Sequence, residues 1–486
     1  MIADLRPYAE YKESGLPWLG RMPGHWETRR LRHACDMRVS NVDKHTKPGE
    51  TPVRLCNYVE VYKNERIRES TRFMTASASE DERIRFGLRK GDVLITKDSE
   101  QWNDIGVPAL VECEAPDLVC GYHLAILRSR PGLHGAFLHR ALECHFIAAQ
   151  FHVEANGVTR YGLSHGAIQG VAIPLPPPSE QGAIVRFLDW ANGRLERAIR
   201  AKRKVIALLT EQKQAIIHRA VTRGLYTSVP LKPSGIPWLG DIPQHWEVTK
   251  LKHLSPQITV GIVIQPARLY ALRGVPSLRS LNISSGVITT DQMVFITDEG
   301  HRANRKSQLS EGDVVVVRTG RTGVAVVVPP AFDGANCIDL LIIRKSQRLL
   351  SEYLLMYFRS YVAKADIAFN SVGAIQAHYN TGTLANLRIP LPSVAEQLCI
   401  LGACQDELAP VDTAISRLER EIELLREYRA RLVADVVTGK LDVREAATDP
   451  QGEREEDELH DTTDTVADAE EYEGEEVDAV TKDTES

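Results

Sequence analysis

The sequence predicts a mixed α/β (α+β) chain in which two similar globular domains are separated by two long helices that form an antiparallel coiled coil. The two halves would be related by an internal pseudo-two-fold repeat. Three observations lead to this prediction: a repeated block of sequence, short β-branched runs behind Gly-Asp turns, and a heptad pattern that closes each half. At 486 residues the chain exceeds the roughly 250–300 at which one hydrophobic core stops growing.

The repeat is clearest in residues 14–33, SGLPWLGRMPGHWETRRLRH, and residues 234–253, SGIPWLGDIPQHWEVTKLKH, which are identical at 12 of 20 positions. The matching continues in LRKGDVLIT (88–96) with LSEGDVVVV (309–317), in IPLPPPSEQ (173–181) with IPLPSVAEQ (389–397), and in VTRGL (221–225) with VTGKL (437–441). A period near 200 residues is too long for a solenoid, whose repeats span about 20–50 residues. The chain therefore contains a duplicated domain, which fits a two-fold target such as duplex DNA or a pair of identical partner subunits.

Each half places its elements in the same order. The repeated box comes first, and GDVLI (91–95) and GDVVVV (312–317) follow as short strands behind a Gly-Asp turn. The proline-rich segments after them cannot continue a helix or a central strand, so we expect them to end the globular parts.

Long heptad patterns follow these prolines. Apolar residues recur at steps of three and four, which predicts two long helices with matching seams. The predicted seam residues are Ile199, Ile206, Leu209 and Ile216 in the first helix and Ile415, Leu418, Ile422, Leu425 and Leu432 in the second. Lys213 and Arg429 interrupt the seams at equivalent positions.

A helix over residues 186–221 would be about 54 Å long. Two helices of this length most simply pack on each other, as an antiparallel spacer of fixed length that holds the globular domains at opposite ends. The alternative is that each helix packs only on its own domain. The chain is predicted to contain a first globular domain (1–182), a central helix (183–225), a second globular domain of the same type (226–405), a C-terminal helix (406–443) and an acidic tail (444–486).

Charge is distributed unevenly along the chain. Residues 445–486 contain 18 acidic and two basic side chains, so we expect them to be disordered. Residues 1–444 contain 57 basic and 47 acidic side chains, a net charge of +10 that favours a polyanionic partner. The tail would keep the protein soluble or compete with DNA for the basic surface.

Several classes of protein are excluded by what the sequence lacks. It contains no signal peptide, no apolar run of membrane-spanning length and no C-x-x-C pair, so we expect a cytoplasmic protein with reduced thiols. We find no P-loop, no dinucleotide fingerprint and no H-E-x-x-H, G-x-S-x-G or [ND]-P-P-[FY] motif. No catalytic residue, metal ligand or cofactor site is therefore predicted, and a binding or scaffold protein is favoured.

The duplicated set of boxes resembles the specificity subunit of type I restriction–modification systems, over residues 11–443. The resemblance implies two target-recognition domains that each read one half of a split double-stranded DNA site, and a coiled coil that sets the gap. It also implies two methyltransferase (modification) subunits as partners, which use S-adenosylmethionine, and restriction subunits, which use ATP and Mg²⁺. This chain would be non-catalytic and hold no cofactor itself.

Candidate DNA-binding residues come from segments that match between the halves but differ in side chains. Residues 156–165 align with 372–381, and 96–104 lie opposite 317–321. Arginine and lysine pair with guanine, and asparagine and glutamine pair with adenine. The candidates are Lys97, Gln101, Asn103, Arg160, Tyr161 and Ser164 in the first half and Arg318, Arg321, Gln376, His378 and Asn380 in the second. The alternative is that these segments are ordinary polar turns.

Four tryptophans, Trp18, Trp26, Trp238 and Trp246, lie in the repeated box. Tryptophan can stack on bases, but the fixed spacing beside prolines favours a packed structural role. Two other functions remain open from the sequence: a self-sufficient DNA methyltransferase or nuclease with unfamiliar motifs, and a standalone DNA-binding regulator.

Overall fold

A computed structural model describes residues 5–226, 228–284, 286–370 and 379–447. These residues form two compact units. One contains the described residues up to Arg200 together with those from Ile422 onward, and the other is Ala201–Glu421. Nearly all of the predicted acidic tail lies outside the described residues, so its predicted disorder stays a prediction.

The first half of the chain alternates short strands and helices before a long helix. Its strands are β1 (Tyr11–Glu13), β2 (Arg21–Pro23), β3 (Glu27–Arg30), β4 (Cys35–Val39), β5 (Thr51–Cys56), β6 (Arg66–Ile67), β7 (Met74–Ala78), β8 (Val93–Thr96), β9 (Asp98–Ser99), β10 (Pro108–Val111), β11 (Leu118–Cys120), β12 (Leu124–Ser129), β13 (Tyr161–Gly162) and β14 (Ala172–Leu175). Its helices are α1 (Leu31–Ala34), α2 (Tyr58–Lys63), α3 (Glu80–Phe86), α4 (Gly135–Glu143), α5 (His145–Glu154), α6 (His165–Gly170) and α7 (Pro178–Arg223).

The second half repeats this order. Its strands are β15 (Leu231–Pro233), β16 (Asp241–Pro243), β17 (Glu247–Lys250), β18 (Ile258–Val260), β19 (Tyr270–Ala271), β20 (Val275–Leu278), β21 (Ile283–Ser284), β22 (Val287–Ile288), β23 (Val294–Ile296), β24 (Val314–Val317), β25 (Ala325–Val327), β26 (Asn336–Cys337), β27 (Leu340–Ile343) and β28 (Arg388–Leu391). Its helices are α8 (Asp298–Ala303), α9 (Ser351–Arg359), α10 (Tyr361–Asn370), α11 (Thr381–Ala385) and α12 (Val394–Val437).

The sheets confirm that the halves are copies of one mixed α/β domain. The order β4-β12-β8-β10 in the first unit corresponds to β18-β27-β24-β25 in the second. A smaller sheet, β11-β5-β7, corresponds to β26-β20-β23, and the antiparallel pair β3–β14 corresponds to β17–β28. The box of each half is thus joined by a two-stranded sheet to the proline-rich segment that follows its domain.

The central strand of each domain, β8 or β24, is buried on both faces. In β8, Val93 and Ile95 face one core cluster and Leu94 faces another, which explains why the sequence runs as continuous β-branched and aliphatic residues. Gly91 before it has a φ of 88°, a conformation that favours glycine. The buried Asp92 carboxylate then accepts hydrogen bonds from Arg128 at 2.7 and 2.8 Å.

The same turn recurs before β24. Gly312 has a φ of 83°, and the buried Asp313 pairs with Arg344 at 2.5 Å. In each turn the aspartate also accepts the amide of the residue three positions earlier, from Arg89 or Ser310. The Gly-Asp boxes that mark the strands in the sequence are therefore turns closed by a buried ion pair.

Two of the four tryptophans of the repeated box have the structural role that was predicted. Trp26 and Trp246 are fully buried. The indole nitrogen of Trp26 donates to Glu180 at 2.8 Å, and that of Trp246 donates to Glu396 at 2.9 Å. Since both glutamates come from the IPLP-x-x-x-EQ segments, the hydrogen bonds connect the first and last boxes of each domain.

The long helices begin earlier than the sequence indicates. Helix α7 starts at Pro178 and α12 at Val394, ahead of the predicted limits at 183 and 406. Proline is tolerated in the first helical turn because its missing amide would be unpaired there. The first turns are also part of the domain cores: Ile184 and Leu188 lie in the first and Ile400 in the second. The proline-rich segments therefore lead into the helices, and α12 continues through Pro410.

Ion pairs show how the long helices pack within each unit. In the second unit, successive ion-paired residues have rising numbers in α7 and falling numbers in α12, so the two helices are antiparallel, as predicted. The pairs are Lys202–Glu421 (2.5 Å), Lys213–Asp412 (2.5 Å) and Arg219–Glu407 (2.7 Å). In the first unit, Arg429 lies 3.7 Å from Glu196. Lys213 and Arg429, which interrupt the seams, thus pair with equivalent acids on the facing helix.

The predicted seam residues follow the packed side of these helices. Ile199, Ile422 and Leu432 are buried. The others are half-buried: Ile206, Leu209, Ile216, Ile415, Leu418 and Leu425. The neighbouring Leu208 and Leu424, by contrast, are 57% and 51% exposed.

Helix α4 carries buried charge into the core of the first unit. Arg140 pairs with Glu143 at 2.6 Å and with Asp189 at 2.7 Å. The preceding His139 is fully buried, and neither ring nitrogen has a hydrogen-bond partner within the described residues. Burial, with a contribution from Arg140, lowers the pKa of His139 to about 3.

Replacing His139 by leucine, the residue found at the equivalent Leu355 of α9, should stabilise the protein most at acidic pH. The unfolded chain binds a proton at His139 near pH 6.5, whereas the folded chain binds it only near pH 3. Acidification across this interval therefore favours unfolding, by about 1.4 kcal/mol per pH unit. Urea unfolding at pH 7.5 and pH 5 should show a gain from His139→Leu that is about 2 kcal/mol larger at pH 5. The exposed His33→Leu is the control, and an equal gain at both pH values would contradict the assignment.

Candidate nucleic-acid interface

In the first unit the two segments that carry candidate DNA-binding residues meet. Strand β9 pairs with β13, so that Tyr161 lies opposite Ser99. The Leu163 amide also donates to the Lys97 carbonyl at 2.9 Å. The residues after the central strand β8 are thereby joined to the loop before α6 at one end of the sheet.

The second unit joins its segments by the same bond. The Tyr379 amide donates to the Arg318 carbonyl at 3.1 Å, and Tyr379 is the residue that aligns with Leu163. At this pair, Leu163 and Tyr379, the structure agrees with the sequence alignment. Two candidates, Gln376 and His378, lie outside the described residues.

The first-half candidates differ in how they are held. Gln101, Asn103 and Arg160 are exposed, and their side chains make no hydrogen bond or ion pair within the described part of the chain. Lys97 is half-buried, with Nζ 4.0 Å from an Asp98 oxygen. Tyr161 is half-buried in its strand.

Ser164 and Asn380 cap helices. The Ser164 hydroxyl accepts the Ala167 amide at 3.1 Å at the start of α6. The Asn380 side chain accepts the Thr383 amide at 2.9 Å at the start of α11. Capping occupies one acceptor of each side chain.

The two basic candidates of the second half are tied to the protein. Arg318 is half-buried and pairs with Asp339 at 2.8 Å. The guanidinium of Arg321 donates to the carbonyl of Ile283 at 2.9 Å. Both side chains are therefore held at defined positions beside the loop.

Each half has a residue with left-handed backbone at equivalent positions of its main sheet. His123, before β12, has a φ of 76°, and Asp339, before β27, has a φ of 51°. Residues other than glycine rarely adopt this conformation, and such strain concentrates at functional sites. His123 contacts the Asp98 carboxylate, while burial lowers the pKa of the His123 imidazole. The equivalent Asp339 instead holds Arg318.

Sequence reasoning missed the aromatic residues around the first-half loop. Tyr58 and Tyr62 stack with ring centroids 5.5 Å apart, and Tyr62 donates to Asp104 at 2.7 Å, which raises the pKa of Tyr62 to about 12. Trp102, between Gln101 and Asn103, is 53% exposed. Trp102 could have been found from the sequence, because it lies within residues 96–104, which contain three of the candidates. The tyrosines come from α2, which only the fold brings to this loop.

Several known proteins are similar to this chain in sequence. The chain is 25% identical over 285 residues to the specificity subunit of the type I restriction enzyme MjaVIII of Methanocaldococcus jannaschii, a match that covers 57% of this chain and 63% of that subunit. The MjaIX specificity subunit of the same organism is 20% identical over 465 residues, covering 91% and 99%. The chain is similar to specificity subunits of type I restriction enzymes. No family model matches it.

A solved structure supports the fold. A chain from work on complex assembly and conformational transition of the type I restriction–modification system superimposes with a TM-score of 0.58 at 18% identity, covering 86% of this chain and 99% of that one. The predicted resemblance to type I specificity subunits and the predicted fold class are thus confirmed, while the individual DNA-binding residues stay predictions. The part of the chain that the structure describes has no helix able to cross a membrane and no cluster of potential metal ligands.

Proposed function

We propose that this chain is the DNA-reading subunit of a type I restriction–modification complex. Each half reads one part of a bipartite double-stranded DNA site, and the paired helices set the gap and dock two methyltransferase subunits, which restriction subunits join. The chain itself is non-catalytic and acts in the cytoplasm. S-adenosylmethionine, ATP and Mg²⁺ bind to the partner subunits.

One observation carries the proposal. In both units the segment after the central strand is joined to the residue just before the cap of the following helix, by equivalent backbone bonds from Leu163 to Lys97 and from Tyr379 to Arg318. The matching segments share this frame but carry different side chains. Such a pair of sites suits the reading of two different half-sites, because specificity resides in side chains that reach base edges.

The test is co-expression of the chain with a type I methyltransferase subunit, followed by methylome sequencing. We expect methylation of a split motif only when both proteins are present. Methylation by the purified chain alone with S-adenosylmethionine would favour a self-sufficient enzyme. Sequence-specific DNA binding with no effect on any methyltransferase would favour a regulator.

Substitutions in the loops should separate base reading from phosphate contact. Arg160→Ala should cost about 1–3 kcal/mol and relax one position of one half-site, because an exposed arginine can form a bidentate contact with guanine. Lys97→Ala and Arg318→Ala should weaken binding to all sequences and lower the salt dependence by about one unit each.

The measurements are the methylated motif and the DNA affinity at two salt concentrations. Lys90, which is exposed at the opposite end of β8, provides the control Lys90→Ala. If Arg160→Ala alters both half-sites equally, the two domains do not read independently.

A further inference from the structure

The buried cluster of the repeated box is completed by an arginine in the first unit. Glu180, which accepts the Trp26 indole, also contacts His25 at 2.6 Å. The Arg444 guanidinium donates to Asp442 at 2.6 and 2.9 Å, and it lies 3.5 Å from the Glu180 carboxylate and 5.0 Å from the ring centroid of Tyr8. A carboxylate on one side and an aromatic face on the other form a site that suits a planar cation.

The second unit builds the same cluster without the arginine. Glu396 accepts the Trp246 indole at 2.9 Å and contacts His245 at 3.0 Å. Beside it is a cavity of about 360 Å³, lined by Tyr226, His245, Ser393, Ala395, Glu396 and Cys399.

The sequence explains why this cavity is open. When the chain is aligned through the left-handed glycines that follow the long helices, Gly224 and Gly439, Val229 stands where the first unit has Arg444 and Thr227 where it has Asp442. The second unit therefore supplies the Glu396 carboxylate but neither the cation nor its second acid.

The remaining walls fit the missing group. Tyr226 is 62% exposed and offers an aromatic surface. The Glu396 side chain is 18% exposed, against 9% for Glu180, so the carboxylate can be reached from the cavity. The negative charge of Glu396 disfavours an anion, although the cavity lies at the first turn of α12.

We propose that this cavity binds an arginine side chain presented by a partner protein. In the first unit the same position is filled by an arginine of the chain's own polypeptide, so the ligand class is a protein side chain. Guanidinium recognition here does not depend on the proposed DNA reading. Under the proposed function, the partner is a methyltransferase subunit. The two units would then bind it differently, because only the second has a free site for an arginine side chain.

The test uses the full chain labelled with ¹⁵N-tryptophan and titrated with L-arginine amide. The Trp246 indole resonance should shift, because its acceptor Glu396 is the proposed ligand, while the Trp26 resonance should stay unchanged behind Arg444. Citrulline amide, the uncharged analogue, is the ligand control. An equal shift with citrulline amide, or no shift of Trp246, overturns the proposal.

Two variants separate the site from general effects. Glu396→Gln keeps an acceptor for the indole but removes the charge, and should weaken binding of arginine amide at least ten-fold. Arg444→Ala should make the Trp26 resonance respond as well. A response of Trp26 alone in Arg444→Ala would show that only the first unit holds a guanidinium site.

The partner is tested by adding a type I methyltransferase subunit to the wild-type chain and to Glu396→Gln, with the stoichiometry measured by ultracentrifugation. We expect Glu396→Gln to weaken binding of one methyltransferase copy at least ten-fold. Unchanged assembly would overturn the partner assignment. Assembly of the wild-type chain is measured in parallel. If the wild-type chain forms no complex with the methyltransferase subunit, the proposed function is wrong, whatever the Glu396→Gln variant shows.

Discussion

Replacing Leu209 and Leu425 together by glutamate is expected to abolish the preference for one gap length in the methylated DNA site, while each half-site is still read. Both leucines are half-buried on the packed side of the long helices. Burying part of a charge there costs about 1–3 kcal/mol per site, enough to loosen the helix pairing. The segments that carry the candidate DNA-binding residues belong to the globular domains and should not be affected.

The measurement is methylome sequencing after co-expression with a type I methyltransferase subunit. Leu208→Glu with Leu424→Glu is the matched control, because these neighbouring leucines are mostly exposed. It should leave the motif unchanged. If the Leu209 and Leu425 variant still methylates only the original gap, the helices do not set the distance between half-sites.

Gln181→Ala is expected to cause a large loss of stability in the first unit. The buried Gln181 side chain accepts the His134 amide at 2.8 Å and donates to the Gly132 and Pro176 carbonyls at 2.9 and 2.8 Å. Its removal leaves three backbone groups unpaired, at about 1–3 kcal/mol each. We expect a loss of about 3 kcal/mol or more in the free energy of unfolding.

The second unit provides a matched test. Gln397 makes the equivalent bonds to the Leu350 amide and to the Arg348 and Pro392 carbonyls. Hydrogen exchange should accelerate in α4 for Gln181→Ala and in α9 for Gln397→Ala, and the exposed Gln169→Ala should change neither. Acceleration of both helices by either variant would show that the domains are not stabilised separately.

The hydrophobic and turn patterns were sufficient for most of the architecture. The duplication is visible as identical boxes, and a buried strand such as β8 needs apolar residues on both faces, so its run stands out in the sequence. The heptads likewise identify both seams. The helix starts were misplaced because proline is read as a terminator, although Pro178 is compatible with a first turn.

What the sequence alone determined about this protein is its repeat, its fold class, the pairing of its long helices and the segments that form the candidate interface. These follow from local patterns that recur in register. The tertiary structure decided which distant groups meet: Tyr62 with Asp104, Trp26 with Glu180, and Arg444 with Glu180, whereas no arginine of the described residues contacts Glu396. Contacts of this kind depend on how separate elements pack in space, and they cannot be predicted from periodicity along the chain.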